Sequence, residues 1–90
     1  MAVYVDALLP CLRNRKWIHD KSCHLFADTV AELNIFAQSI GLKLSWFQGH
    51  AYFPHYDLTA NKRLQAVKNG AREVGRRSVA NFIQVLKEKG

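Results

Sequence analysis

Val30, Leu33, Phe36, Ala37 and Ile40 recur every three or four positions and fall on one face of a helix. Asp28 or Thr29 can cap its start, Thr29 and Glu32 have the capping-box spacing, and Gly41 supplies the left-handed residue that ends many helices. Cys23–Ala27 before it reads as a short strand. After it, Leu42, Leu44 and Trp46 alternate with Lys43 and Ser45, so Leu42–Gln48 reads as a strand with Trp46 packed in the core. Strand, helix and strand with short connections predict a right-handed βαβ unit with parallel strands.

The remaining pattern extends this unit. Ala2–Asp6 is rich in β-branched and aromatic residues and reads as a strand. Thr59 is a helix N-cap; the helix presents Leu64 and Val67 and stops at Gly70. Arg72–Val74 reads as a third parallel strand, and Ser78 caps a helix with a Val79, Phe82, Ile83, Leu86 stripe. Residues 7–22, with Pro10, read as an irregular loop, as does Gly49–Leu58, with Pro54. The prediction is one α/β domain over residues 1–90: a small, mostly parallel sheet of three or four strands with about three helices.

Composition narrows the class. In 90 residues, 49% are apolar and 22% charged, an ordinary globular balance. Apolar runs such as Ala7–Leu9 are far shorter than the roughly 20 residues a membrane helix needs, so no membrane partner is expected. No basic stretch leading into an apolar core opens the chain, and two cysteines, Cys11 and Cys23, fit a reduced, cytoplasmic setting. Charge is more informative. Residues 1–57 hold five Lys/Arg and five acids, a net of zero. Residues 58–90 hold eight Lys/Arg against Glu73 and Glu88, so the whole net charge of +6 lies there. Such asymmetry points to an anionic partner, a phosphate-bearing ligand or a nucleic acid.

In open parallel sheets ligands bind outside the carboxyl ends of the strands. The expected strands end at Asp6, Asp28 and Gln48, and the loop after Gln48 carries His55, Tyr56 and Asp57 to the same edge. His55 and His24 are candidate acid/base groups, with Asp57 orienting His55. Asp6, Gln48 and Tyr56 are candidate ligand contacts. Lys62 and Arg63 lie in the first turn of a helix, where cations oppose the dipole, and are candidate phosphate contacts. On this reading, replacing both by Gln leaves the melting temperature nearly unchanged. Neither a CxxC pair nor an HExxH helix is present, which argues against a structural zinc site. His55 and Asp57, two residues apart, could instead be met by His24 and Cys23, and Asp6, Asp28 and Asp57 are candidate ligands for Mg²⁺. Cys23 beside His24 in a strand points to the opposite face, against a nucleophile pair. Trp17 among Arg13, Arg15 and Lys16 suits base stacking with phosphate contacts, or a lid on the core.

Val3-Tyr4-Val5-Asp6, Cys23 to Asp28, Glu32-Leu33, Trp46-Phe47-Gln48, His55 to Thr59, Lys62-Arg63 and Gly70-Ala71 together resemble one family. It is the domain of unknown function 4031, small bacterial and bacteriophage proteins. The resemblance spans nearly the whole chain and implies a single-domain protein of bacterial or phage origin, with no activity to carry over. The first functional reading is therefore a protein that binds a nucleotide or nucleic acid at the sheet edge, with hydrolytic or phosphoryl-transfer chemistry. The alternative is a non-catalytic accessory protein that binds another protein through Phe47, Tyr52 and Phe53 around Gly49.

Overall fold

The computed structural model describes residues 2–13 and 17–89, so Arg15 and Lys16 beside Trp17 lie outside the described residues. The elements are β1 (Val3–Val5), β2 (Leu9–Pro10), β3 (Lys21–Ala27), α1 (Val30–Ser39), a 3₁₀ turn (Leu44–Trp46), β4 (Gln48–His50), β5 (Phe53–Leu58), α2 (Ala60–Lys68), β6 (Arg72–Glu73) and α3 (Arg76–Lys89). The strand order is β4-β5-β3-β1-β6, with β2 pairing β3 beyond the end of β1.

The sheet is mixed and mostly antiparallel, with six strands, which overturns the mostly parallel sheet of three or four. Among the described residues only β1 and β6 pair in parallel, as expected for the strand near Arg72; β3 pairs antiparallel with β1, β2 and β5. The predicted βαβ unit fails at its second strand. Leu42 is buried, but Leu44 and Trp46 are 55% and 49% exposed, so the alternation has no second core residue to anchor it. After Gly41 (φ 83°) the chain makes a 3₁₀ turn, and only Gln48–His50 extends, pairing with β5. The missed strand is β5. Pro54 removes one donor, but the β3 ladder runs only from Tyr56 to Leu58, so Pro54 lies outside it, opposite Gly49 of the edge strand.

Alternation along the strands gives the sheet two unlike faces. Val5, Cys23, Leu25, Ala27, Tyr56 and Leu58 form one core with Leu33 and Ala37 of α1, Ile40 at its C-terminal end, and Ala66 of α2. Thr29 caps α1, accepting from the Glu32 N–H at 3.2 Å, and Thr59 caps α2 through the Lys62 N–H. Leu64 is 68% exposed, so α2 buries Ala66 where Leu64 was expected to pack. α3 begins at Arg76, two residues before the expected Ser78 cap. It covers part of the other face, where Phe82 meets Phe26 and Phe53 with ring centroids 4.9 and 6.2 Å apart.

Tyr56 belongs to the core and not to the ligand contacts expected of it. It is fully buried, and its hydroxyl donates to Asn34 Oδ1 at 2.7 Å. Tyr56→Phe removes that bond alone and is expected to cost about 0.5–1.5 kcal/mol of stability, measured by chemical denaturation. A stability unchanged by the substitution would show that the bond contributes nothing net.

Candidate functional site

The second sheet face carries Asp6, His24, Phe53, His55 and Asp57, and its geometry starts from a defect in the strand ladder. The β1–β3 register continues to Asp6 opposite His24, and the Asp6 N–H donates to the His24 carbonyl at 3.3 Å. The return bond of a regular ladder would run from the His24 N–H to the Asp6 carbonyl. Here the Asp6 side chain takes it: Oδ1 accepts the His24 N–H at 2.6 Å. The freed Asp6 carbonyl accepts from Arg63 Nε at 2.9 Å. By Leu9↔Ser22 the register has slipped by one, so Ala7 and Leu8 oppose the single residue Cys23 in a bulge.

The same carboxylate orients the His24 ring. Asp6 Oδ2 lies 2.6 Å from His24 Nδ1. In β5, His55 Nδ1 lies 2.6 Å from the Phe53 carbonyl oxygen, and His55 Nε2 is 3.6 Å from Asp57 Oδ1. Gln48 Nε2, from the adjacent edge strand, donates to Asp57 Oδ2. His24 stands opposite Asp57 in the β3–β5 register, and the two imidazoles meet edge to face with centroids 4.9 Å apart. One ligand atom from each of His24, His55 and Asp57 lies within 4.8 Å of the others. A carboxylate and a carbonyl only accept, so the neutral rings carry their protons on Nδ1 and leave each Nε2 as a lone pair.

The histidines are driven in opposite directions. The hydrogen bond that His24 donates to Asp6 raises the His24 pKa, against an opposing effect of burial. Burial lowers that of His55, only partly offset by the Phe53 carbonyl and the Asp57 charge. Burial acts to raise the Asp6 pKa, but the bonds and charge of His24 outweigh it and the net direction is down. Cys23 faces the opposite core; burial, with the Asp6 charge, pushes its thiol up to about 12, so it is no nucleophile.

Thus His24, His55, Asp57, Asp6 and Gln48 come together, on a sheet face and not at the carboxyl edge of a parallel sheet. Asp6 serves His24 before any ligand. Asp28 is elsewhere: at the start of β1 it accepts from the Tyr4 hydroxyl at 2.8 Å and the Ala2 N–H at 3.2 Å. The Mg²⁺ trio Asp6, Asp28 and Asp57 is therefore not assembled. Lys62 and Arg63 are partly buried and both make bonds within the fold, although Lys62 also lines the cleft that Trp46 borders. Lys62 Nζ donates to the Ile40 carbonyl at 2.7 Å, closing the end of α1, and Arg63 also reaches Glu73 Oε1 at 3.0 Å. Sequence reading missed the Phe53 carbonyl, a backbone group with no residue-type signal, and misassigned Trp46. Half-exposed, Trp46 lines a cleft of about 930 Å³ with Trp17, Phe47, Gln48, Asp57, Thr59 and Lys62.

Two outcomes follow. Arg63→Gln is expected to lose about 1–3 kcal/mol, because it breaks charge-assisted bonds of a mostly buried guanidinium. This replaces the expectation that cations at this helix start are dispensable; an unchanged melting temperature would restore it. The Asp6–His24 pair sets a pH dependence. With His24 raised above 6.5, its stabilisation is complete below that pH and fades as pH rises through the raised value. With Asp6 lowered below 3.8, it also fades as pH falls through the lowered value. His55, depressed by burial, contributes the opposite slope near neutrality. Asp6→Asn keeps an acceptor for the His24 N–H but removes the charge. Its melting temperature should fall furthest below wild type between pH 3.8 and 6.5 and approach it as pH rises through the raised His24 value. A deficit that does not change with pH would mean that the charge of the Asp6–His24 pair contributes nothing to stability.

No curated protein and no solved structure matches the chain. Among the described residues no helix is long and apolar enough to cross a membrane. The family model described as protein of unknown function (DUF4031) matches residues 3–86, nearly the whole length, and the chain belongs to that family.

Proposed function

We propose that the protein binds a phosphate-bearing ligand, a nucleotide or nucleic acid, in the cleft beside Asp57 and hydrolyses a phosphoester at the His24–His55–Asp57 face. The observation that carries this reading is the junction of two unlike surfaces at Asp57 and Gln48. One is the cluster of titratable groups; the other is the cleft walled by Trp17, Trp46 and Phe47. Aromatic faces at such a junction suit a nucleobase, since base stacking on aromatic side chains is tolerant of sequence. Positive charge lies at the same place. Lys62 lines the cleft, and Lys43 Nζ sits 5.6 Å from the centroid of the Trp46 ring. Lys68, Arg72, Arg76, Arg77 and Lys87 are exposed and add a long-range attraction for polyanions.

In the reaction a water oxygen bonds to phosphorus, the bond to the leaving oxygen breaks, and the proton lost by water ends on that oxygen. Of the trio named for protein binding, Phe53 is buried and Phe47 is half-buried against Tyr56, and Tyr52 is exposed, which supports the ligand reading over that alternative.

Titration of the ¹⁵N-labelled protein with a mononucleotide and a short single-stranded oligonucleotide tests the reading. Shifts are expected at Trp46, Gln48, Asp57 and Thr59, with oligonucleotide affinity falling steeply as salt rises. Trp46→Ala should weaken binding, since one stacked base is worth about 1–3 kcal/mol. No shifts with either ligand at low salt would overturn it.

A further inference from the structure

The geometry points to a divalent transition-metal site on the sheet face, with His24, His55 and Asp57 as its protein ligands and Asp6, the Phe53 carbonyl and Gln48 as the groups that hold them. Two imidazoles and one carboxylate are a donor set for Zn²⁺, Mn²⁺, Fe²⁺, Co²⁺ or Ni²⁺, whereas Mg²⁺ prefers oxygen donors and water. This differs from the all-carboxylate Mg²⁺ set, which the fold does not bring together.

Placement of the donors supports the assignment. His24 and Asp57 are opposite residues of adjacent strands, and His55 lies on the same face two residues from Asp57. Strand pairing thus sets three donors side by side without any loop. Ligands at about 2.1 Å around a tetrahedral ion stand about 3.4 Å apart. His55 Nε2 and Asp57 Oδ1 are already 3.6 Å apart, and the whole trio spans 4.8 Å, which side-chain rotations close.

The outer shell is the second, independent observation. A histidine bound to a metal through Nε2 donates its Nδ1–H to a carboxylate or carbonyl. Both imidazoles here have that partner, Asp6 Oδ2 and the Phe53 carbonyl, each at 2.6 Å. The third ligand is held as well: Gln48 occupies Asp57 Oδ2 and leaves Oδ1 turned toward His55. Packing against Phe53, whose ring centroid is 5.1 Å from that of His24 and 4.8 Å from that of His55, keeps one side dry. The other side is open, since the His24 side chain is 42% exposed. Three protein ligands with an open approach leave a coordination position for water or substrate, the arrangement of a catalytic and not of a structural ion. As the cofactor of phosphoester hydrolysis the ion rests on the function proposed above; as a binding site it does not.

The test is calorimetric titration of the full chain with Zn²⁺ and Mn²⁺, with Mg²⁺ for comparison and no nucleotide present. One Zn²⁺ per chain is expected, with Mg²⁺ binding far weaker or absent. Asp57→Asn and His55→Gln should each remove the site while circular dichroism shows the fold retained. Asp6→Asn, which touches no ligand atom offered to the ion, should weaken Zn²⁺ binding by about 10–100-fold. A Co²⁺-loaded sample gives an independent readout, because its visible spectrum should change in the Asp6 variant. Absence of one-to-one binding would overturn the inference. So would binding unchanged in both Asp57→Asn and His55→Gln, which would place the ion on other histidines. Metal binding without nucleotide shifts would keep this site and refute the phosphoester reading; the reverse pattern would refute the site alone.

Discussion

The arrangement depends on one substitution in a hydrogen-bond ladder. Where β1 should return a carbonyl to the His24 N–H, Asp6 offers its carboxylate, and three consequences follow. The second oxygen fixes the His24 ring, the carbonyl is released to Arg63, and the chain enters the bulge at Ala7 and Leu8. Bulges re-aim side chains and are common beside active sites. One carboxylate thereby couples strand pairing, helix docking and the orientation of an imidazole. A mostly buried charged acceptor here is tolerable because every bond it makes is charge-assisted or to a backbone donor.

The second constraint is the two-residue period of a strand. It sends Tyr56 and Leu58 into the core under α1 and α2, and sends Phe53, His55 and Asp57 to the other face. Residues adjacent in sequence therefore have unrelated roles. Tyr56, between the two candidate ligands, has a structural bond to Asn34, and Cys23, next to His24, is a buried thiol. α3 covers the apolar half of that second face through Phe82, against Phe26 and Phe53, so the polar half beside it stays accessible.

Much of this was legible in the sequence, and the failures have physical causes. The periodicity of α1, its Thr29 cap, the Thr59 cap of α2, Gly41 and Gly70 as turn residues and the parallel strand at Arg72 were all readable from local chemistry. Topology was not. Three alternating apolar residues from Leu42 to Trp46 predict a strand, yet alternation alone carries no information about what the residues pack against. Pro54 hid β5, although His55-Tyr56-Asp57-Leu58 alternates polar and apolar as a strand should. Which site residues converge was partly legible: His24, His55, Asp57, Asp6 and Gln48 stood out as polar groups near element ends. Their mutual bonds did not, because a carboxylate replacing a main-chain acceptor leaves no mark in composition. The internal bonds of Lys62 and Arg63 left no sign in the sequence for a related reason. A long cation at a helix start can serve a distant carbonyl, and both do.

Asp6 and the Phe53 carbonyl hold both imidazoles by Nδ1, which leaves Nε2 of His55 facing Asp57 and Nε2 of the half-exposed His24 without a proton. Two-bond ¹H–¹⁵N correlation spectra of the histidine rings, recorded on metal-free protein above both titrations, read the tautomer of each ring directly. The account predicts that His24 and His55 carry their proton on Nδ1, with Nε2 unprotonated. Rings protonated on Nε2 at both positions would contradict it, because Nδ1 would then face an acceptor without a hydrogen to give.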